Sequence, residues 1–185
     1  MYPGVIVPPW AEVKRLKPDP QPGELRLVQA LAERMSRVTS PGDCGVVYVQ
    51  PYLENHQADV VVRVPGRGWT IWEVKEWESS EYAARKMKEA ATQVAGYRDS
   101  LIRLAMYGVE EELSSWVANE YLPQFRRALH GMVKVAVYIE ASLPRAQREV
   151  LRHHARRRAV DYVAFSTRKA VPVSRTRATR RVWPR

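Results

Sequence analysis

Residues 59–75 read Asp59-Val-Val-Val-Arg-Val-Pro-Gly-Arg-Gly-Trp-Thr-Ile-Trp-Glu-Val-Lys75, and this stretch decides the fold. Val60-Val61-Val62 and Trp69 to Trp77 (WTIWEVKEW) are β-branched and aromatic, and Pro65-Gly66-Arg67-Gly68 separates them, which is the pattern of a β-hairpin. Side chains alternate along a strand, so Trp69, Ile71, Glu73, Lys75 and Trp77 share one face and Thr70, Trp72 and Val74 the other. One face therefore carries opposite charges between large apolar groups. Asp59 heads the first strand, and whether it meets Glu73 depends on the loop. A three-residue turn (65–67) pairs Val64 with Gly68 and sets Asp59 opposite Glu73; a two- or four-residue turn sets Asp59 opposite Val74, with the acids facing apart. A shared site thus requires an odd-length loop or a bulge.

Outward from the hairpin, the periodicity predicts an α/β chain. Pro22 opens a helix to about Val38, with Leu25, Val28, Leu31, Ala32 and Met35 at helical spacing. Ser40-Pro41-Gly42-Asp43 is a turn, Gly45–Gln50 a short strand, and His56–Val64 contains the first hairpin strand, ADVVVRV. A long helix is expected from Ser79 or Ser80 to Gly108. A second follows over about 110–129, opened by Glu110-Glu111-Glu112, interrupted by Pro123 and stopped by Gly131. Met132–Ile139 reads as a buried strand, Ser142 caps a basic helix to about Arg158, and Val160–Ser166 is a last strand. The result is a mixed central sheet flanked by helices. The expected division is a proline-rich arm over 1–21 (extended, or a short edge strand), one domain over 22–166 and a basic, disordered tail over 167–185.

The chain has 185 residues and a formal net charge of +10. Residues 145–185 hold 13 of the 30 basic residues and 2 of the 20 acidic ones, so the whole excess lies there. Such a block reads as a polyanion-binding region, nucleic acid first, with a solubilising tail as the bland alternative. Arg145, Arg148, Arg152 and Arg156 recur three and four apart on the basic helix, which makes either a solvated face or a phosphate track. Arg175, Arg177, Arg180 and Arg181 with Trp183 add non-specific contacts and one stacking ring, or form a linker. One cysteine excludes a disulfide framework, and adjacent His153-His154 do not make a helical metal pair. There is no membrane-spanning run, and the proline-broken start is a poor signal peptide, so a cytoplasmic protein is expected.

Two carboxylates and a lysine on one surface suit metal-assisted phosphodiester hydrolysis. Carboxylate oxygens are hard ligands that favour Mg²⁺ or Mn²⁺, and a lysine one strand-repeat away can orient water or neutralise charge developing on phosphate. Taken alone, Glu73-Lys75 is more often a solvated pair on an edge strand. Glu12-Val13-Lys14 is a second such triplet, but no Asp-headed strand precedes it. Pro18-Asp19 lies in a proline-rich loop. Gln93 and Tyr97, four apart on the helix after the hairpin, lie on one face. They reach either the core or the site. His56 lies close to Asp59, where a turn role is favoured. Trp69 and Trp77 flank the charged face, as core residues ahead of groove walls.

Asp59, Glu73-Val74-Lys75 and Gln93-x-x-x-Tyr97 together resemble the PD-(D/E)XK nuclease superfamily, in particular its RecB-like branch and the nuclease-related NERD domains. The resemblance covers roughly residues 22–166, with Ala58 in place of the motif's proline. It implies a restriction-endonuclease-like core and divalent-metal-dependent cleavage of DNA. It also implies that Asp59, Glu73, the main-chain carbonyl of Val74 and Glu24 hold Mg²⁺ or Mn²⁺. Lys75 is then the catalytic lysine and Gln93 with Tyr97 a supporting pair. Glu33 is a competing acid on the helix of Glu24; Glu24 and Leu31, two turns apart on one face, favour Glu24. Two rivals stand beside this reading: a degenerate nuclease-fold module that binds nucleic acid or helps an assembly, and a dimeric junction resolvase. A homodimer, or a partner helicase or other domain, is the expected company.

Overall fold

The computed structural model describes residues 6–13, 15–38, 45–77, 82–112, 115–141 and 143–166. Strand β1 (Ile6–Val7) and a short helix α1 (Trp10–Val13) are followed by α2 (Pro22–Val38) and β2 (Val46–Val49). A small hairpin, β3 (Tyr52–Leu53) and β4 (His56–Gln57), leads into the main one, β5 (Val60–Val64) and β6 (Gly68–Lys75). Then come α3 (Ala83–Glu112), α4 (Ser115–Met132), β7 (Val133–Ile139), α5 (Arg145–Arg156) and β8 (Tyr162–Phe165).

The central sheet has the order β1-β2-β5-β6-β7-β8. β1 pairs with β2, β6 with β7 and β7 with β8 in parallel, whereas β5 runs antiparallel to both its neighbours. The mixed sheet expected from the sequence is therefore present, with helices on both faces. On one face Val61, Ile71, Val135, Val137 and Ile139 meet Met87, Ala90, Val94 and Ile102 of α3 and Leu151 and Ala155 of α5. On the other, Val47, Val49, Val60, Val62 and Val74 meet Leu27, Val28, Ala32 and Met35 of α2. Consecutive Val60, Val61 and Val62 are all buried because both faces of β5 are covered, which explains an unbroken apolar run in place of alternation.

The decisive loop has three residues. Val64 pairs with Gly68, Val62 with Thr70 and Val60 with Trp72. The turn is closed by the Arg67 N–H on the Val64 carbonyl at 3.0 Å, with Gly66 at φ 69° after Pro65. Gly68 lies at φ 91°, and a Cβ there would stand 2.2 Å from the Met132 carbonyl oxygen. Gly68→Ala is accordingly expected to destabilise by about 3 kcal/mol, from a left-handed backbone and an overpacked contact together. Gly66→Ala, with nothing within 4 Å of its added Cβ, should cost about 1 kcal/mol from the backbone alone. Denaturant unfolding of the two variants checks the difference.

Several sequence expectations need correction. The strand expected from Ala58 starts two residues later, at Val60, and His56 and Gln57 before it pair with Leu53 and Tyr52 in a small hairpin that was not foreseen. Helix α3 continues through Gly108 to Glu112, so Glu110–Glu112 close one helix rather than open the next. Pro123 and Gly131 both lie inside α4, which ends at Met132 only because Val133 enters β7. An internal glycine costs about 1 kcal/mol and a proline about 3; tertiary packing of α3, and of Leu129 in α4, outweighs these local penalties. The proline-rich start contributes an edge strand and Val13 to the core, with the short helix α1 not foreseen. The last basic helix ends at Arg156, and its N-cap is Pro144. Ser79, Ser80, Ser142, the turn at 40–43 and the tail from 167 onward lie outside the described residues. No helix among the described residues is long and apolar enough to cross a membrane.

Candidate metal centre

With five parallel strands and one antiparallel, the carboxyl ends of β2, β6 and β7 fall on one edge of the sheet, beside the amino end of β5. The connection through α2 lies on one face and those through α3, α4 and α5 on the other. A crevice outside the carboxyl ends of strands, where the connections change face, is where open α/β sheets place ligands.

Asp59 stands one step before β5. Continuing the register that pairs Val60 with Trp72 sets it directly opposite Glu73. Its Oδ2 accepts the Val74 N–H at 2.6 Å, so the carboxylate takes the ladder position that β5 vacates. N–H and C=O of one strand residue point to the same side, so the Val74 carbonyl also faces Asp59. Lys75, two residues on from Glu73, places Nζ 2.5 Å from Glu73 Oε1.

Glu73 is 3% exposed, and its Oε2 has no hydrogen-bond partner. Burial, then the charge of Asp59, raises its pKa from 4.5 to about 7, against the opposing pull of Lys75 and Tyr97. Asp59 is raised as well, by burial above all, while the Val74 N–H and Lys75 oppose the shift. Burial pushes the Tyr97 hydroxyl up, followed by the charges of Glu73 and Asp59. Tyr97 therefore stays protonated beside Glu73, with Gln93 next to its hydroxyl. Helix α3 thus brings both members of the Gln93/Tyr97 pair to the acids, although Tyr97 is also a core residue.

Glu24 arrives from the opposite face, on the first turn of α2. It is buried, and burial followed by the charge of Asp59 raises its pKa from 4.5 to about 7. Glu33 is exposed. The first turn of α2 is fixed by the Gly23 N–H on Glu76 Oε1 at 2.7 Å and by Arg26 on Glu140 Oε1 at 2.9 Å. Gly23 is tightly surrounded: an added Cβ would lie 2.9 Å from Glu76 Oε1 and 3.0 Å from Val74 Cγ1, so these side chains would have to shift.

Asp59, Glu73, Lys75, Gln93, Tyr97 and, through its charge, Glu24 are thus brought to one edge. Among the described residues no three His, Cys, Asp or Glu side chains close around a single point; Asp59 and Glu73 form a pair with Glu24 facing them. Sequence reasoning missed Gln50, whose Nε2 donates to Glu24 Oε2 at 3.0 Å. A lone glutamine at the end of a strand gave no signal. His56 comes nearer than its expected turn role implied, its ring centroid 6.0 Å from that of Tyr97.

The arginine stripe is only partly available. Arg148 and Arg152 lie over the Phe165 ring at 5.6 and 5.1 Å, Arg148 Nε donates to the Leu143 carbonyl and Arg152 pairs with Glu149. Arg145 and Arg156 are exposed. Trp69 stacks on Tyr48 at 6.0 Å and Trp77 is buried, so both serve the core.

No protein-family model matches the chain, and no curated protein or solved structure matches it either.

Proposed function

We propose that the chain is a divalent-cation-dependent deoxyribonuclease of the PD-(D/E)XK type, its sheet and helices forming a restriction-endonuclease-like core. The observation that carries this reading is the hairpin register. It sets Asp59 against Glu73 with Lys75 on the same face, at the edge where Glu24 enters from the other side. The chemistry of the donors supports it. Two adjacent carboxyl groups, both pushed toward the neutral form by burial first of all and one with an unpartnered oxygen, are the groups whose charged forms a bound cation would favour. Oxygen donors of this kind fit Mg²⁺ or Mn²⁺.

Asp59, Glu73, the Val74 carbonyl and Glu24 would hold the ion. When bound, such an ion polarises a phosphoryl oxygen and lowers the pKa of a water ligand. Lys75 Nζ, already at the Glu73 carboxylate, is in place to orient that water and to neutralise charge on the phosphate. Tyr97 keeps Glu73 oriented, and Gln93, exposed beside the Tyr97 hydroxyl, is open to the solvent. Exposed Arg145 and Arg156 are the phosphate contacts of the basic helix that remain open.

Plasmid and linear DNA incubated with the protein should be cut in Mg²⁺ and left whole in EDTA. The charge excess of residues 145–185 favours a second reading, a binding module. Salt-sensitive retention of DNA with no cleavage in either condition would decide for it.

A further inference from the structure

Asp59 and Glu73 supply few of the oxygens that a six-coordinate hard cation requires. The neighbouring strand offers another. Gln50 follows β2 directly, and its N–H donates to the Asp59 carbonyl at 2.9 Å. Gln50, Asp59 and Glu73 therefore stand in a row across three adjacent strands, with Asp59 in the middle.

Three features of Gln50 are unusual together. It is 8% exposed, its Oε1 has no hydrogen-bond partner, and its backbone lies at φ 50°. A buried amide oxygen without a partner costs roughly 1–3 kcal/mol. Left-handed backbone at a residue other than glycine adds about 1 kcal/mol. A glycine would meet that backbone without strain, so the side chain is what the position retains. Its other end is placed: Nε2 donates to Glu24 Oε2 at 3.0 Å, and Oε1 is the atom left over. That atom belongs to a side chain held on Glu24 and a backbone held on Asp59, and it is, like Oε2 of Glu73, a buried oxygen without a partner.

We propose that Gln50 is a ligand of the cation: its Oε1 supplies a neutral oxygen to the ion held by Asp59 and Glu73, while its Nε2 holds Glu24 alongside. The inference rests on the metal-centre reading above. It makes the site one of five residues, Glu24, Gln50, Asp59, Glu73 and Val74, drawn from both faces of the sheet, with Gln50 as the link between Glu24 and the carboxylate pair.

The test is Mn²⁺ binding to the full chain at pH 8, followed by electron paramagnetic resonance, with melting in EDTA and in Mn²⁺ as a second readout. Gln50→Met keeps the bulk and removes both polar atoms; it should weaken Mn²⁺ at least about tenfold and shrink the Mn²⁺-induced rise in melting temperature. Gln50→Glu should bind Mn²⁺ more tightly than the wild type and melt lower in EDTA, with a new charge beside Glu24. The same Met change in a Glu24→Gln background separates a ligand from a prop. A ligand still loses affinity there. Unchanged affinity in that background, or wild-type affinity in both Gln50→Met and Gln50→Glu, overturns the proposal. A wild-type chain that takes up no Mn²⁺ refutes the metal centre itself, and this inference with it.

Discussion

Lys75→Met is expected to reduce DNA cleavage by about a thousandfold while leaving the folded chain and its cation binding in place. The side chain lies at the edge of the sheet with its amine at Glu73 Oε1, so its removal opens no core cavity. What it takes away is the positive charge next to the carboxylate pair, and losing one preorganised electrostatic contact of that kind costs about 10²–10³ in rate. Glu73 then loses the charge that opposes its raised pKa and holds its proton to higher pH still. Cleavage rates over a pH series, with circular dichroism and Mn²⁺ titration as controls, provide the check. A variant that cuts at the wild-type rate removes Lys75 from the chemistry.

The second large effect is on stability. Glu24 and Glu73 each have a folded-state pKa of about 7 against an ordinary 4.5. The folded chain therefore binds these protons more tightly than the unfolded chain. The associated stability is fully present below pH 4.5 and is lost as pH rises through about 7. In EDTA the melting temperature should fall across that window and level off above it, with a total cost on the order of 1–3 kcal/mol per group. Mg²⁺ at pH 7.5 should restore it, because an ion that binds only the folded state stabilises by mass action. Glu73→Gln removes one of the two titrations, so in EDTA at pH 7.5 it should melt several degrees above the wild type and gain little from Mg²⁺. Melting curves over a pH and Mg²⁺ grid decide it; a pH-independent melting temperature in EDTA contradicts this account of the acids.

The hairpin was legible because its signal is local. Pro65-Gly66-Arg67-Gly68 between two β-branched runs fixes a short turn, and the parity of that turn settles which faces Asp59 and Glu73 share. The spacing of Gln93 and Tyr97 is local as well. Gln50 was not legible. Its partner Glu24 is 26 residues away, and its strained backbone has no sequence mark. The surroundings of the arginine stripe were hidden for a related reason: helical spacing places Arg148 and Arg152 on one side of α5, but that Phe165, on the strand after it, lies under them has no local signal. Pro123 and the glycines of α3 and α4 show the converse, where a strong local stop sign is overruled by core contacts elsewhere along the same helix.

The ties at the first turn of α2 carry a further consequence. The Gly23 N–H on Glu76, and Arg26 on Glu140, anchor the helix start to the ends of two strands. Glu24 is therefore aimed by the finished architecture and needs no loop to swing inward when a ligand arrives. Chemistry built on so stiff a frame loses little entropy on ligand capture, so empty and loaded forms of the protein should superimpose at these atoms.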